Sequence, residues 1–338
     1  MPNTISFPGL GIGEFVLNPV AFTIFGHDIM WYGIIITFAM IVGFFVALRN
    51  AKFENIKSDD VYDLAIFLII FSMVGARLYY VLMKLENYDS FLDVIAVWNG
   101  GLAIYGGVIA GTITVFVVSK VKKINPAKML DMVAPGLIIG QAIGRWGNFT
   151  NAEAHGTVTD LPWRMGIMYG GSAKTYYYHP TFLYESLWNI LGFVLLTVFY
   201  KKKKFNGQIA LMYFIWYGFG RFINEGLRTD SLYIFKSMLG ESIRVSQMVA
   251  LITVLGGAIL MIVGLRRARY NALEHANYDR VYSSEHEEVL GLSDEPAFEI
   301  LEKDEDNAEE AAEAAAENED AAAEDAEGSA EDTEKETE

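Results

Sequence analysis

The chain has 338 residues, 52% of them apolar and 14% aromatic, with a mean hydropathy of +0.25. That is too apolar for an ordinary soluble domain and points to a protein that crosses a membrane several times. The formal net charge is −16, with no basic surplus to hold nucleic acid, and the absence of cysteine excludes disulfides, thiolate ligands and a thiol nucleophile supplied by this chain.

The charge is confined to one end. Residues 301–338 hold 18 Asp/Glu and 2 Lys, so the first 300 residues, with 24 acidic and 24 basic groups, are neutral. That Ala/Glu/Asp tail lacks the apolar groups needed to offset ordering entropy and reads as disordered or transiently helical.

No Lys or Arg precedes Arg49, so the positive start of a cleavable signal peptide is missing and the first apolar segment is expected to stay as a transmembrane helix. Apolar runs near the ~20 residues that span a bilayer predict seven helices, at 21–48, 61–83, 100–119, 129–147, 181–200, 208–226 and 245–265. The start of the first, GHDIMWYG, belongs near an interface. The fold class expected is an all-α integral membrane protein: a seven-helix membrane domain over 1–270, a small extracytoplasmic head, and a tail over 271–338.

Loop charge sets the orientation. RNAKFENIK follows span one, KVKKINPAK span three, KKKK span five and RRAR span seven. The positive-inside rule puts these clusters in the cytoplasm, with the N-terminus outside and the acidic tail inside. The outer connection over 148–180 is long enough for short strands or a small head. Its Tyr176, Tyr177 and Tyr178 fit an interfacial aromatic belt or a substrate contact.

Ionisable residues inside spans need partners, water or a task. Arg77 lies in span two, Arg145 ends span four and Glu185 opens span five; in span six, Tyr217, Arg221, Glu225 and Arg228 share one helix face. One use for such a ladder is to pair with itself; another is to line a polar cavity. Gly136, Gly140 and Gly144, like Gly107 and Gly111, sit at the four-residue spacing that lets helices approach closely. Arginines gathered at the outer end suit a phosphate, and a phospholipid headgroup is the phosphate at that depth. An anion channel or a lipid transporter would use the same groups. HExxH, GxSxG and GxxxxGK[ST] are all absent from the sequence, which argues against a zinc protease, a serine hydrolase and ATP-driven transport.

GRWGNFTNAEAHG at 144–156, with WYG at 31–33, GAR at 75–77, WNGGLAIYGG at 98–107, HPTFLYE at 179–185 and YGFGRFINEGLR at 217–228, resembles the prolipoprotein diacylglyceryl transferase family over residues 20–270. The resemblance implies a bacterial cell-membrane enzyme with its active site open to the outer leaflet. It implies that diacylglycerol moves from phosphatidylglycerol to the lipobox cysteine of a prolipoprotein signal peptide, giving a thioether and glycerol phosphate, with no cofactor or metal. A non-catalytic transporter or flippase of an anionic lipid is the alternative. By the same resemblance Arg145 and Arg221 clamp the phosphate, Asn148 donates to it, Glu153 and Glu225 orient the arginines, and Gly156 permits close approach. Tyr32 and Tyr217 contact lipid or headgroup; Arg77, Glu185 and Arg228 have either a substrate role or a structural one. Tyr105 stands where many members carry a histidine taken as the base, which leaves Tyr105, His155, His179 or another group as the proton acceptor. Thr150 replaces a usually apolar residue.

Overall fold

The computed structural model describes residues 2–85, 88, 91–97, 100–228, 233–236 and 242–289; the acidic stretch at 301–338 lies outside the described residues. The chain divides into two compact units, Met1–Ala268 and Arg269–Glu338. Of the second, the described part is the distal portion of the last helix.

Helices dominate: α1 Trp31–Glu54, α2 Ser58–Met83, short α3 Phe91–Ile95, α4 Ile104–Val121, α5 Pro126–Thr150, α6 Thr181–Tyr200, α7 Gln208–Leu227 and α8 Val245–Val289. A helix therefore occupies each of the seven expected places. Five are long and apolar enough to cross a membrane: α1, α2, α4, α6 and the Val245–Glu274 part of α8. The helices α5 and α7 fall outside that group. They carry Asp131, Gln141 and Arg145, or Arg221, Asn224 and Glu225, along otherwise apolar lengths.

The all-α expectation is corrected by eight strands among the described residues. β1 (Asn3–Phe7), β2 (Ile12–Leu17), β5 (Met165–Met168) and β6 (Tyr176–Tyr178) form an antiparallel sheet in the order β2-β1-β5-β6. β3 (Val20–Ile24) and β4 (His27–Met30) form a separate hairpin, and β7 (Tyr233–Lys236) pairs with β8 (Ser242–Arg244). Span one accordingly starts at Trp31 and not at residue 21. The apolar run 20–30 is a hairpin because Phe25 and Gly26 both turn to positive φ, reversing the chain.

Local chemistry sets the helix ends. Asn55 closes α1 in the left-handed conformation (φ 57°), its N–H donating to the Ala51 carbonyl. Asn125 caps α5 by accepting the Ala127 N–H at 2.9 Å, with Pro126 at the first helical position.

The glycine spacing acts as expected. A β-carbon on Gly43 would lie 2.8 Å from the Gly136 carbonyl oxygen and one on Gly140 3.4 Å from that of Ala39, so α1 and α5 meet backbone to backbone. Gly75 and Gly107 do the same for α2 and α4, against the Gly106 oxygen (2.7 Å) and the Ser72 carbonyl oxygen (3.4 Å), and a β-carbon on Gly111 would meet the Ser72 hydroxyl at 2.9 Å.

The α1–α2, α4–α5 and α6–α7 turns gather at one end of the bundle, where two lysines of the basic loops are bound. Lys203 bridges Glu54 (2.6 Å) and Asp131 (2.8 Å), and Asp131 also accepts the Gly207 and Ala210 N–H groups. Lys122 bridges Asp60 (3.0 Å) and Asp63 (2.5 Å). At the other end the sheet packs Ile5, Met165 and Ile167 on Ala152 and Phe182, the residues that flank the end of α5 and the start of α6.

Candidate active site

Glu185, one turn into α6, is the centre of the charged cluster. Its Oε2 is in a close ion pair with Arg145 of α5 and lies 3.6 Å from Arg221 Nη1 of α7; its Oε1 lies 3.7 Å from Arg228 Nη1. Arg221 Nη2 also meets Glu225 Oε2 at 2.6 Å, one helical turn on. Glu225 is 1% exposed, and charges so far from water must be paired to be tolerated. Arg228, expected on the helix face, is the C-cap of α7 with extended backbone, and it reaches the cluster from just beyond the helix end.

A second tier hangs from the end of α5. Asn148 Oδ1 accepts from Arg145 Nη1 at 3.5 Å, and its Nδ2 donates to Glu153 Oε1 at 3.0 Å. Asn151 donates to the same oxygen at 3.3 Å. Glu153 thus reaches Arg145 through Asn148 and not by a direct ion pair. Ala152 and Ala154, on either side of it, both have left-handed φ (52° and 55°). Such backbone is disfavoured for a residue with a β-carbon. Here it is held by burial of Ala152 and by the Thr181 hydroxyl, which donates to the Ala154 carbonyl at 2.6 Å.

Gly156 closes the loop. Its N–H donates to the His179 carbonyl (3.0 Å), it bridges to Arg228, and the Thr157 N–H donates to the Leu227 carbonyl (2.7 Å). A β-carbon at 156 would stand 2.7 Å from His179 Cβ. The close approach at this glycine is to two segments of the protein, 179–181 and 227–228.

The remaining candidates are placed as follows. Tyr32, on the first turn of α1, packs on Gly147 and lies within electrostatic reach of Glu153 and Arg145. Tyr217 stacks on Tyr213 (5.6 Å, 12°), whose hydroxyl accepts from Gln141 at 2.9 Å, one turn before Arg145. Tyr105 opens α4 with its hydroxyl 3.4 Å from that of Ser246. Arg77 serves another place: its guanidinium donates to the carbonyls of Asp93, Val94, Gly100 and Gly101 at 2.5–3.1 Å, fastening the chain between α2 and α4.

The two histidines of this region differ. His155 Nδ1 lies 3.1 Å from the Gly156 carbonyl and Nε2 2.7 Å from the Tyr169 hydroxyl, with the ring stacked on Tyr178 at 3.9 Å. A carbonyl only accepts, so Nδ1 carries the proton and Nε2 receives the hydroxyl of Tyr169. Both nitrogens are engaged. His179 Nδ1 lies 3.4 Å from the Tyr184 hydroxyl, and Nε2 has no protein partner among the described residues. Burial pushes the His179 pKa below its ordinary 6.5.

Sequence reasoning noticed Glu185 without making it the centre, and it passed over Asn151, Thr181 and Ser186. Ser186 accepts from the Trp146 indole (3.2 Å) and donates to the Ala142 carbonyl (2.9 Å), bracing α5 beside Arg145. The signal for the α6 residues was a run of polar side chains opening an apolar helix, PTFLYES, in which Thr181, Glu185 and Ser186 are all buried.

Apolar helices that bring the arginines and carboxylates of α5, α6 and α7 together at one end define a multi-pass membrane protein with a charged centre. The profile of the prolipoprotein diacylglyceryl transferase family matches residues 19–263, and the chain belongs to that family. It is 50% identical over 248 residues to the phosphatidylglycerol–prolipoprotein diacylglyceryl transferase of Finegoldia magna, covering 73% of this chain and 95% of the relative. The protein of the same name from Clostridioides difficile is 45% identical over 259 residues (76% and 100%), and that from Listeria innocua 42% over 272 (78% and 94%).

Proposed function

We propose that this chain transfers the diacylglyceryl group of phosphatidylglycerol to the cysteine thiol of a prolipoprotein lipobox, forming a thioether and releasing glycerol phosphate. The observation that supports this most is the convergence of Arg145 and Arg221, from separate helices, on the one buried carboxylate of Glu185. A guanidinium offers five N–H donors in a rigid fork. Glu185, Glu225 and Asn148 use part of each fork and aim the rest.

In the reaction a sulfur–carbon bond forms at the glyceryl carbon as the carbon–oxygen bond to phosphate breaks. The electron pair leaves with the phosphate, which gains negative charge, and guanidinium donors already in place stabilise that charge most where water is scarce. The thiol must first lose its proton. We assign this proton to Nε2 of His179, which has no partner among the described residues and whose protonated form burial disfavours. His155, with both nitrogens engaged, braces the loop, and Tyr105 is a positioning hydroxyl on α4.

In this reading α5 and α7 cross the membrane as well, making seven spans. At about 1.5 Å per residue, their 25 and 20 residues reach about 30 Å or more, enough for the hydrocarbon core. Their carboxylates Asp131 and Glu225 are buried in the bundle and spared lipid. The arginine end and its sheet form the extracytoplasmic head of a bacterial cell-membrane protein. The basic loops and the tail from residue 271 are cytoplasmic, as the positive-inside rule favours.

Purified protein with phosphatidylglycerol vesicles and a labelled lipobox peptide should yield the thioether, and a peptide with serine for cysteine should not. Arg145→Ala and Arg145→Lys should each lower kcat by roughly 10²–10³-fold, the cost of removing a preplaced donor. Wild-type protein that forms no thioether yet moves phosphatidylglycerol across the vesicle would sink the transferase in favour of a lipid transporter.

A further inference from the structure

The β3–β4 hairpin stands apart from the site, and its composition is odd for an exposed element. Its sequence from 19 to 30, PVAFTIFGHDIM, holds one acid and no lysine or arginine. A two-stranded hairpin alone is marginal in water, and this one is not part of the four-stranded sheet. Phe22 and Ile24 are about half exposed, and Phe25 at the tip is 97% exposed. Phe25 also adopts φ +48°, beside Gly26 at +80°, in a two-residue turn whose first position ordinarily takes Asn, Asp or Gly. A bulky ring in a disfavoured backbone conformation, bare at the tip of a hairpin, asks for a partner outside the protein.

The surroundings identify that partner. The hairpin runs directly into α1, and the Trp31 N–H donates to the Pro19 carbonyl at 2.9 Å, which fixes its base to the first turn of that helix. α1 presents Phe38, Ile41 and Phe45 outward, the surface that a membrane-crossing helix turns to lipid. The hairpin leads into that surface at Trp31, which is 43% exposed, shares the helix face of Phe38 and Phe45, and is an aromatic of the kind found at membrane interfaces. Its one acid, Asp28, accepts the Thr23 hydroxyl at 2.6 Å, which satisfies part of its demand for water. We infer that the β3–β4 hairpin is a lipid-inserted wedge: it lies along the membrane surface at the end of the bundle that carries the arginine cluster, with the Phe25 ring among the acyl chains next to α1. The occupant of its bare face is lipid, as for an amphipathic element lying in the interface.

The absence of cysteine makes the test direct, because one introduced thiol can be spin-labelled without background. The full chain carrying Phe25→Cys, Phe22→Cys or Glu14→Cys is placed in phosphatidylglycerol/phosphatidylcholine vesicles. Collision of each label with oxygen, which concentrates in lipid, is compared with collision with a water-soluble nickel complex. The label at 25 should favour oxygen several-fold more than the label at 14, with the label at 22 between them. Equal preferences at 25 and 14 would overturn the inference. So would a label at 25 that leaves water only when a signal peptide is added, since the hairpin would then be a peptide-docking arm. Should Phe25→Cys fail to fold, labels at 22 and 24 with Phe25 intact carry the same comparison.

Discussion

Trp188 of α6 and Trp216 of α7 face each other ring on ring, with centroids 4.2 Å apart and planes 12° apart, and each donates its indole N–H to the other's carbonyl at 3.0 Å. This reciprocal pair ties together the helices that carry Glu185 and Arg221. Room for it comes from Gly192 and Gly220, where a β-carbon would fall on the indole of Trp216 or Trp188.

Gly220→Ala should therefore part α6 and α7, at about 1–3 kcal/mol for overpacking. Arg221 is the next residue, so kcat/KM for thioether formation should fall further than thermal stability in detergent does. Trp188→Phe keeps a ring and loses one hydrogen bond between helices, worth about 0.6 kcal/mol in a membrane. Equal losses of activity for the two variants would contradict this account.

Glu185→Gln should destabilise by about 3 kcal/mol, because it removes the buried central anion of a half-buried arginine cluster. Combining it with Arg145→Gln should cost clearly less than the two single changes added together. A double-mutant cycle by thermal unfolding measures the difference; additive losses would mean that the two side chains are not coupled.

The pH dependence of kcat/KM tests His179. Only the neutral ring can take a proton, and burial disfavours the charged ring, so the pKa moves down from 6.5 and the base form persists into more acidic solution. Activity should hold from neutrality to below pH 6.5 and then fall as the ring protonates. His179→Asn should lower turnover and abolish that acidic limb, whereas His155→Asn should leave the limb in place.

Ala154 offers a stabilising change. The left-handed conformation costs a β-carbon-bearing residue about 1–2 kcal/mol, while glycine gives back about 0.5–1 through its freer unfolded chain. Ala154→Gly should raise stability by about 0.5–1 kcal/mol, and Ala154→Val should lower it; a thermal melt of each variant measures both.

Much of the bundle was legible in the residues. Helices fall at each of the seven apolar segments, and Gly136, Gly140, Gly107 and Gly111 pack as their spacing implies. Arg221 pairs with Glu225 as the i,i+4 rule requires. These features are local or periodic. The hairpin at 20–30 was missed because an apolar run has the same composition in either conformation, and a reversal at Phe25-Gly26 carries no common turn signal. The N-terminal strands β1 and β2 were missed because β1 pairs with β5, about 160 residues away.

Sequence by itself determined the membrane character, the family and the cast of charged residues, since apolar length, charge runs and a 13-residue signature are all properties of the chain in order. Only the tertiary structure decided the parts they take. It moved Arg77 to the α2–α4 connection, put Glu185 between Arg145 and Arg221, separated Glu153 from its arginine by Asn148, and engaged both nitrogens of His155 while leaving one of His179 without a partner among the described residues. The physical reason is that ion pairs and hydrogen bonds act over about 3 Å. Which groups come that close depends on helix ends, glycine contacts and caps summed over the whole bundle.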